Sequence, residues 1–202
     1  MKEKLVNLHE LLKKYHIYFY LIMVGLIALD LTTKYVMEAI LLDAPNHRIE
    51  VIDGFFTLSL VYNPGAFSGM LGDSIFGRII LMLLSLICGV VMLWYFIKSF
   101  SRMGKLELFG ITLAIPGTLG NLWDRTLQVF GLQEGVIDFL EFDLGFMVWN
   151  TFNIADSLLV IGIIAFAVGY LIRDSKEEKK KEQERLKFYE GKKNEEEELK
   201  DE

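Results

Sequence analysis

Six ionisable residues stand in or beside apolar runs of this chain: Asp30, Lys34, Asp124, Arg125, Asp138 and Asp156. Such a group costs roughly 2.5–3.5 kcal/mol at the centre of a membrane, so each needs a reason to be there. Asp30 and Lys34 are one helical turn apart, fall on one face and can pair. Two readings follow: a structural ion pair, or a lysine that meets an anionic head group or ligand. Asp138 lies in Val136-Ile137-Asp138-Phe139, and Asp156 in Phe152-Asn153-Ile154-Ala155-Asp156-Ser157. Singly, Asp138 reads as a loop carboxylate and Asp156 as a helix-start acid favoured by the dipole. If the loop folds back, the two meet in a pocket of low dielectric. Two carboxylates close together cannot both ionise, so one pKa rises and a proton is shared. One acid then activates water while the other protonates a scissile carbonyl, which is peptide hydrolysis without a covalent intermediate. Competing chemistries lack parts. His9, His16 and His47 are scattered, no HExxH is present, and Cys88 stands alone in an apolar run.

Apolar helices must position these residues. The chain has 202 residues, 52% of them hydrophobic, with charge gathered at its ends. That pattern suggests a membrane body with solvated termini. Apolar stretches at about 17–42, 75–97, 106–122 and 152–172 each approach the roughly 20 residues that cross a bilayer. The third holds Pro116, Gly117 and Gly120, which suit a helix packed closely on neighbours rather than one facing lipid. Lysines and arginines concentrate before the first stretch, between the second and third, and after the fourth. The positive-inside rule therefore places both termini in the cytoplasm and the polar clusters toward the outer face.

The remaining segments are less regular. Residues 1–16 read as an amphipathic interfacial helix, with Leu5, Leu8, Leu11 and Leu12 at helical spacing and no convincing cleavage site after the apolar run. The segment 47–62 is rich in β-branched and aromatic residues and predicts short outer strands; 135–149 predicts another. The 173–202 tail mixes Lys and Glu and reads as a solvated helix or a disordered segment. The fold expected is all-α membrane, with four transmembrane helices (17–172), a small extracytoplasmic β-cradle and a long charged C-terminal tail. No basic stripe points to nucleic acid, and no cofactor is called for.

Two further motifs carry polar groups. Asn63-Pro64-Gly65-Ala66-Phe67-Ser68 reads first as a turn, Pro fixing φ and Gly accepting positive φ. Gly120-Asn121-Leu122-Trp123-Asp124-Arg125 closes the third stretch with a polar cluster, either an interfacial cap or a clamp for the carbonyls of an extended peptide.

Taken in order, these motifs resemble the lipoprotein signal peptidase (signal peptidase II) family of bacterial membrane aspartyl peptidases. Asp30-Leu31-Thr32-Thr33-Lys34 is similar to D-Q-x-x-K, and the Asn63 segment to N-x-G-A-A-F-[GS]. The Gly120–Arg125 segment matches G-N-x-x-D-R, Val136–Phe139 resembles V-V-D-F, and Phe152–Ser157 matches F-N-x-A-D-[ST]. Leu31 stands where the family has Gln, the Asn63 motif lacks one small residue, and about five extra residues separate Asp124 from Asp138. The resemblance implies removal of signal peptides from diacylglyceryl-modified prolipoproteins by cleavage before the lipidated cysteine. It implies that Asp138 and Asp156 are the catalytic dyad, that Asn63, Asn121, Arg125 and Asn153 line the substrate site, and that Asp30, Lys34, Gly65, Asp124 and Ala155 join them. It further implies a monomer in the bacterial inner membrane, bathed by lipid and inhibited by globomycin-like peptides. Two other classes fit membrane carboxylates: a proton-coupled transporter, for which no inverted repeat is visible, and a non-catalytic assembly or lipid-binding protein.

Overall fold

The computed structural model describes the backbone of residues 2–65, 71–72 and 74–201, with side chains from 16–65, 71–72 and 74–189. Ala66, Phe67 and Ser68 of the Asn63 motif, and the leucine stripe of residues 1–16, lie outside the described residues and side chains. Helix α1 (Lys2–Leu42) runs without a break through the segment expected to be a separate interfacial helix. A single 3₁₀ turn leads into strands β1 (Arg48–Ile52) and β2 (Phe56–Asn63). Then come α2 (Ile75–Ser99), α3 (Lys105–Val129), β3 (Val136–Asp143), β4 (Val148–Phe152) and α4 (Ile154–Asp201).

Three of these helices are long and apolar enough to cross a membrane, over His16–Leu42, Ile75–Arg102 and Ile154–Tyr189. Helix α3 has 25 residues, long enough to cross, but its composition is too polar to qualify by itself. Its place explains why: α3 packs on α1, α2 and α4, and almost every residue from Gly110 to Asn121 is buried. A helix screened from lipid by protein can keep polar groups that satisfy one another. Its Asn121–Arg125 cluster sits inside the helix, which continues a further turn to Val129 rather than ending there.

Close packing of α3 on α4 depends on small residues. A Cβ added at Gly117 would lie 2.5 Å from the Ala155 carbonyl oxygen, and one at Gly162 would lie 2.5 Å from the Ala114 nitrogen. At the far end of the bundle, Glu107 is fully buried and pairs with Arg173 at 3.0 Å. An aromatic cluster of Phe96 and Phe100 with Phe19 and Tyr20 packs beside Met23 and Ile111 at the same end.

The strands form one antiparallel sheet in the order β1-β2-β3-β4. Each of the two segments expected to be extended makes a two-stranded hairpin, so 135–149 contributes two strands where the sequence predicts one. One face of the sheet packs on α1 through Leu60, Ile137 and Phe139 against Met37 and Leu41. The opposite face carries a ladder of rings, Phe56, Phe142 and Phe152, stacked at 4.8 and 5.9 Å. Pleating places alternate residues on opposite faces, so burying Ile137 and Phe139 against α1 turns Asp138 the other way.

Candidate active site

Strand register brings the first carboxylate to its partners. Val61 pairs with Asp138 and Asn63 with Val136. Asn63 and Asp138 are thus diagonal neighbours on one face, within reach of each other. Asn63 Nδ2 donates to Asp138 Oδ2 at 3.1 Å. Gly135 allows this register, because a Cβ there would sit 2.5 Å from the Asn63 carbonyl oxygen.

The second carboxylate is placed by a helix cap. Asn153 precedes α4, and its Oδ1 accepts the Asp156 backbone N–H at 3.0 Å. Asp156 Oδ2 reaches back to accept the Asn153 N–H at 3.1 Å. This reciprocal pair satisfies two N–H groups that a helix start leaves without partners. Asn153 also joins the two acids, since its Nδ2 donates to Asp138 Oδ1 at 2.7 Å. Asn121 Nδ2 donates to Asp156 Oδ1 at 2.7 Å.

Behind these asparagines lies a buried charge cluster. Lys34 Nζ contacts Asp30 Oδ2 at 2.9 Å and Asp124 Oδ2 at 2.8 Å, and all three side chains are wholly buried. Lys34 also donates to Asn121 Oδ1 at 3.0 Å, which fixes the amide so that its NH₂ faces Asp156. Asp30 Oδ1 accepts the Ala155 N–H at 2.8 Å, capping α4 from a different helix. The i,i+4 pair expected in α1 is therefore a triad, with Asp124 as its third member. Gly120 makes room for it: a Cβ there would lie 2.3 Å from Asp30 Oδ2.

Asp138 and Asp156 both line one cavity of about 390 Å³. Asn63, Gly65, Asn121 and Arg125 share that wall. Asp30, Lys34, Asp124, Asn153 and Ala155 do not line it; they stand one layer back. Arg125 Nη1 donates to the Gly65 carbonyl at 3.2 Å, tying α3 to the segment after β2. A neighbouring apolar cavity of about 410 Å³, between the β3–β4 hairpin and α4, also reaches Asp156. Trp149 and Phe152 line both cavities.

Burial sets the electrostatics of Asp138. Burial, then the nearby Asp156 charge, push the Asp138 carboxyl up from an ordinary 3.8 to about 7, against the opposing hydrogen bonds from Asn63 and Asn153. Asp138 thus keeps its proton well above the ordinary carboxylate range, and Asp156 stands beside it in the first turn of α4. A protonated and an ionised carboxyl on one wall can deliver one proton and take another in a single reaction.

The signal peptidase (SPase) II family model matches residues 22–172. The chain belongs to the signal peptidase II family. Lipoprotein signal peptidases cleave signal peptides from prolipoproteins, and theirs is an aspartic-type peptidase family. A lipoprotein signal peptidase of Sulfurihydrogenibium sp. (strain YO3AOP1) is 40% identical over 147 residues, covering 72% of this chain and 85% of that protein. One from Francisella tularensis subsp. novicida (strain U112) is 35% identical over 160 residues, covering 78% and 94%. Among solved structures, a bacterial membrane enzyme determined by the in meso method at 2.3 Å superposes with a TM-score of 0.65 at 27% identity, covering 79% of this chain and 90% of that one. Membership of this signal peptidase II family accounts for the motif order and for a membrane enzyme with three apolar helices.

One contributor to the site, and one buried acid at the far end of the bundle, escape sequence reasoning. Gln128 is buried, and its Nε2 donates to the Pro64 carbonyl at 3.0 Å and the Glu134 carbonyl at 3.1 Å, holding the segments on either side of the cavity. It stands one turn beyond the G-N-x-x-D-R motif, and its amide type near a helix end is the only signal. Glu107 gives no signal because it begins α3 among charged loop residues, although its pairing with Arg173 is as buried on the acid side as the triad.

Proposed function

We propose that Asp138 and Asp156 are the catalytic dyad of an intramembrane aspartyl endopeptidase, which cuts a diacylglyceryl-modified prolipoprotein immediately before its lipidated cysteine. The observation that carries this reading is the single amide of Asn153, which donates to Asp138 while its backbone N–H is held by Asp156. Asp156 takes a proton from water as the water oxygen attacks the scissile carbonyl carbon. Asp138 gives its proton to the carbonyl oxygen. The tetrahedral adduct collapses when the C–N bond breaks: Asp156 gives its proton to the leaving nitrogen, a hydroxyl of the adduct returns one to Asp138 as the carbonyl re-forms, and the pair again holds one proton. Asn63, Asn121 and Arg125 hold the peptide on the cavity wall. Asp30, Lys34, Asp124, Asn153 and Ala155 keep that wall in place. The apolar cavity beside Asp156 is suited to an acyl chain of the substrate.

In this reading α3 is the fourth crossing, both termini are cytoplasmic, and the sheet and dyad lie at the outer face of the bacterial inner membrane. The positive charge around residues 98–105 and 173–181 supports that orientation. The units are a short N-terminal segment (1–16), a peptidase body (17–172) and a charged tail (173–202). A monomer suffices, since this one chain supplies both acids. A globomycin-like peptide inhibits by occupying the dyad. The test is incubation of purified protein with a diacylglyceryl-modified precursor, with and without globomycin, and with an unmodified precursor beside it. The modified precursor is expected to shorten, globomycin to stop it, and Asp138→Asn or Asp156→Asn to abolish it at unchanged protein level. Cleavage at the wild-type rate by either variant overturns the dyad assignment.

A further inference from the structure

About five residues more than the family pattern separate Asp124 from Asp138, and the stretch they lengthen is uncharged from Thr126 to Gln133. It carries α3 past its polar cluster and ends it in a fixed turn. Gly131 takes φ +71°, its N–H donates to the Gln128 carbonyl at 3.1 Å, and the Leu132 N–H donates to the Leu127 carbonyl at 2.9 Å. These two bonds form a Schellman motif, which satisfies carbonyls that a helix end leaves without partners. Gln128 ties the same turn to the Pro64 and Glu134 carbonyls at 3.0 and 3.1 Å. Although the turn is held from both sides, it presents Phe130 72% exposed and Leu132 74% exposed. Large apolar side chains fixed outward in this way belong to a surface that another apolar phase covers.

Trp123 stands on the same stripe of α3, two turns before Phe130, and is about half exposed. Its Nε1 donates to the Tyr35 hydroxyl of α1 at 2.9 Å. Trp and Tyr gather where a bilayer meets water, because each ring has an apolar body and a polar tip. Helix lengths place this pair at such a boundary. From Lys105, which begins α3, to Trp123 is about 27 Å, and from His16, where the apolar span of α1 begins, to Tyr35 is about 28 Å. Both approach the hydrocarbon thickness of roughly 30 Å. Phe130 lies about 10 Å further along α3. Helix side chains lean toward the helix N-terminus, which here is toward the hydrocarbon. The headgroup layer beyond the hydrocarbon is about 5–7 Å deep on each side, so a leaning ring on a tilted helix reaches it.

We propose that Phe130 and Leu132 anchor the outer end of α3 in the lipid headgroup layer of the outer leaflet. This rests on the reading above that α3 is a crossing with its C-terminal end outside. Lipid is the occupant because the aromatic pair sets the bilayer boundary just below, and because an uncharged stretch enters an interface without stripping water from an ion. The anchor also bears on the site. Gln128 belongs to the anchored turn and holds Pro64, which stands between Asn63 and Gly65 of the dyad cavity wall. Fixing the turn in the headgroups therefore sets the height of that wall above the hydrocarbon, and with it the depth at which a scissile bond meets the carboxylates.

The test uses the full chain in vesicles of phosphatidylethanolamine and phosphatidylglycerol, with Cys88→Ala removing the sole cysteine. Phe130→Cys and Leu132→Cys each carry a spin label; both positions are exposed, so the label displaces no packing. Ile87→Cys, exposed in the middle of α2, is the deep reference, and Lys181→Cys, exposed on the charged tail, is the aqueous one. The measurement is the label's accessibility to oxygen relative to a water-soluble nickel chelate. At 130 and 132 that ratio is expected to be several-fold above the Lys181 position and several-fold below the Ile87 position. A ratio at either position equal to one of the references overturns the anchor. Lys105→Cys and Glu134→Cys, treated in sealed vesicles with a membrane-impermeant thiol reagent, test the crossing itself. Modification from opposite sides together with aqueous ratios at 130 and 132 refutes the anchor alone. Modification from the same side refutes the crossing and the anchor with it.

Discussion

Replacing Asp138 by Asn should change the sign of its effect on stability between acid and alkaline pH. The folded protein holds the Asp138 proton up to about pH 7, whereas an unfolded chain releases it near 3.8. Between those values the folded state binds the extra proton, so stability falls as pH rises from about 4 to about 7. Above pH 7 the full penalty of a buried, repelled carboxylate applies, and the rise from 3.8 to about 7 corresponds to about 4 kcal/mol. The Asp138→Asn variant escapes that penalty but creates another. Both Asp138 oxygens face amide donors, Asn153 at 2.7 Å and Asn63 at 3.1 Å. A substituted amide must point its own NH₂ at one of them. Asn153 cannot turn, because its Oδ1 holds the Asp156 N–H, and turning Asn63 forfeits its bond from the Gly65 N–H. One unmet buried donor costs about 1–3 kcal/mol. The variant should therefore be less stable than wild type by about 1–3 kcal/mol near pH 3.5, where the wild-type carboxyl is protonated in both states, and more stable by a similar amount near pH 8.5. Thermal unfolding in detergent micelles at the two pH values measures this. Variant and wild-type midpoints that move in parallel with pH would show that Asp138 is not the group whose proton is retained.

Three further outcomes follow from the same geometry. Cleavage should decline as pH rises through about 7, where Asp138 loses the proton it donates; a rate that stays flat to pH 9 contradicts that role. Gly120→Ala pushes a methyl group to 2.3 Å from Asp30 Oδ2, so it should lower both the thermal midpoint and cleavage, whereas Gly25→Ala, with open space around it, should do neither. Lys34→Met leaves Asp30 and Asp124 buried without their cation and should destabilise by about 3–5 kcal/mol. Adding Asp30→Asn and Asp124→Asn to that variant should restore much of the midpoint, and a triple variant no better than the single would refute the triad as the cause.

How far the sequence discloses this arrangement depends on how local each interaction is. The Asp30–Lys34 pair is one turn of helix and is readable from spacing. The Asn153–Asp156 cap is likewise local, four residues long, and its carboxylate reads as a helix-start acid. The partnership of Asp124 with Lys34 is not readable, because it needs α3 to lie against α1, and nothing in either segment states which helices touch. The doubling of the 135–149 strand into a hairpin is hidden for a different reason. Its turn, Asp143 to Met147, includes apolar Leu144 and Phe146 around Gly145, so the break in the strand has little polar signal. Helix α3 reads as an ordinary apolar stretch only up to Leu122, since its last turns are polar; their tolerance comes from burial among other helices, which composition does not record. Gln128 shows the same limit, because its partners are backbone carbonyls, which every residue possesses.

The bond from the Ala155 N–H to Asp30 joins residues 125 positions apart in the chain. It gives the protein a built-in order of assembly. During synthesis the first helix enters the membrane with its acid and lysine already facing each other, the third arrives with Asp124 and Asn121, and Asp138 follows on the sheet. Until the last helix is made, Asn153 and Asp156 do not exist, Asp30 has no N–H to cap, and Asp138 lacks both its second amide donor and the charge that raises its pKa. A ribosome-bound or truncated chain therefore carries a charge-paired scaffold without a proton-sharing pair. On the proposed dyad reading, hydrolytic competence arrives in one step, when α4 brings Asn153 and Asp156 to Asp138.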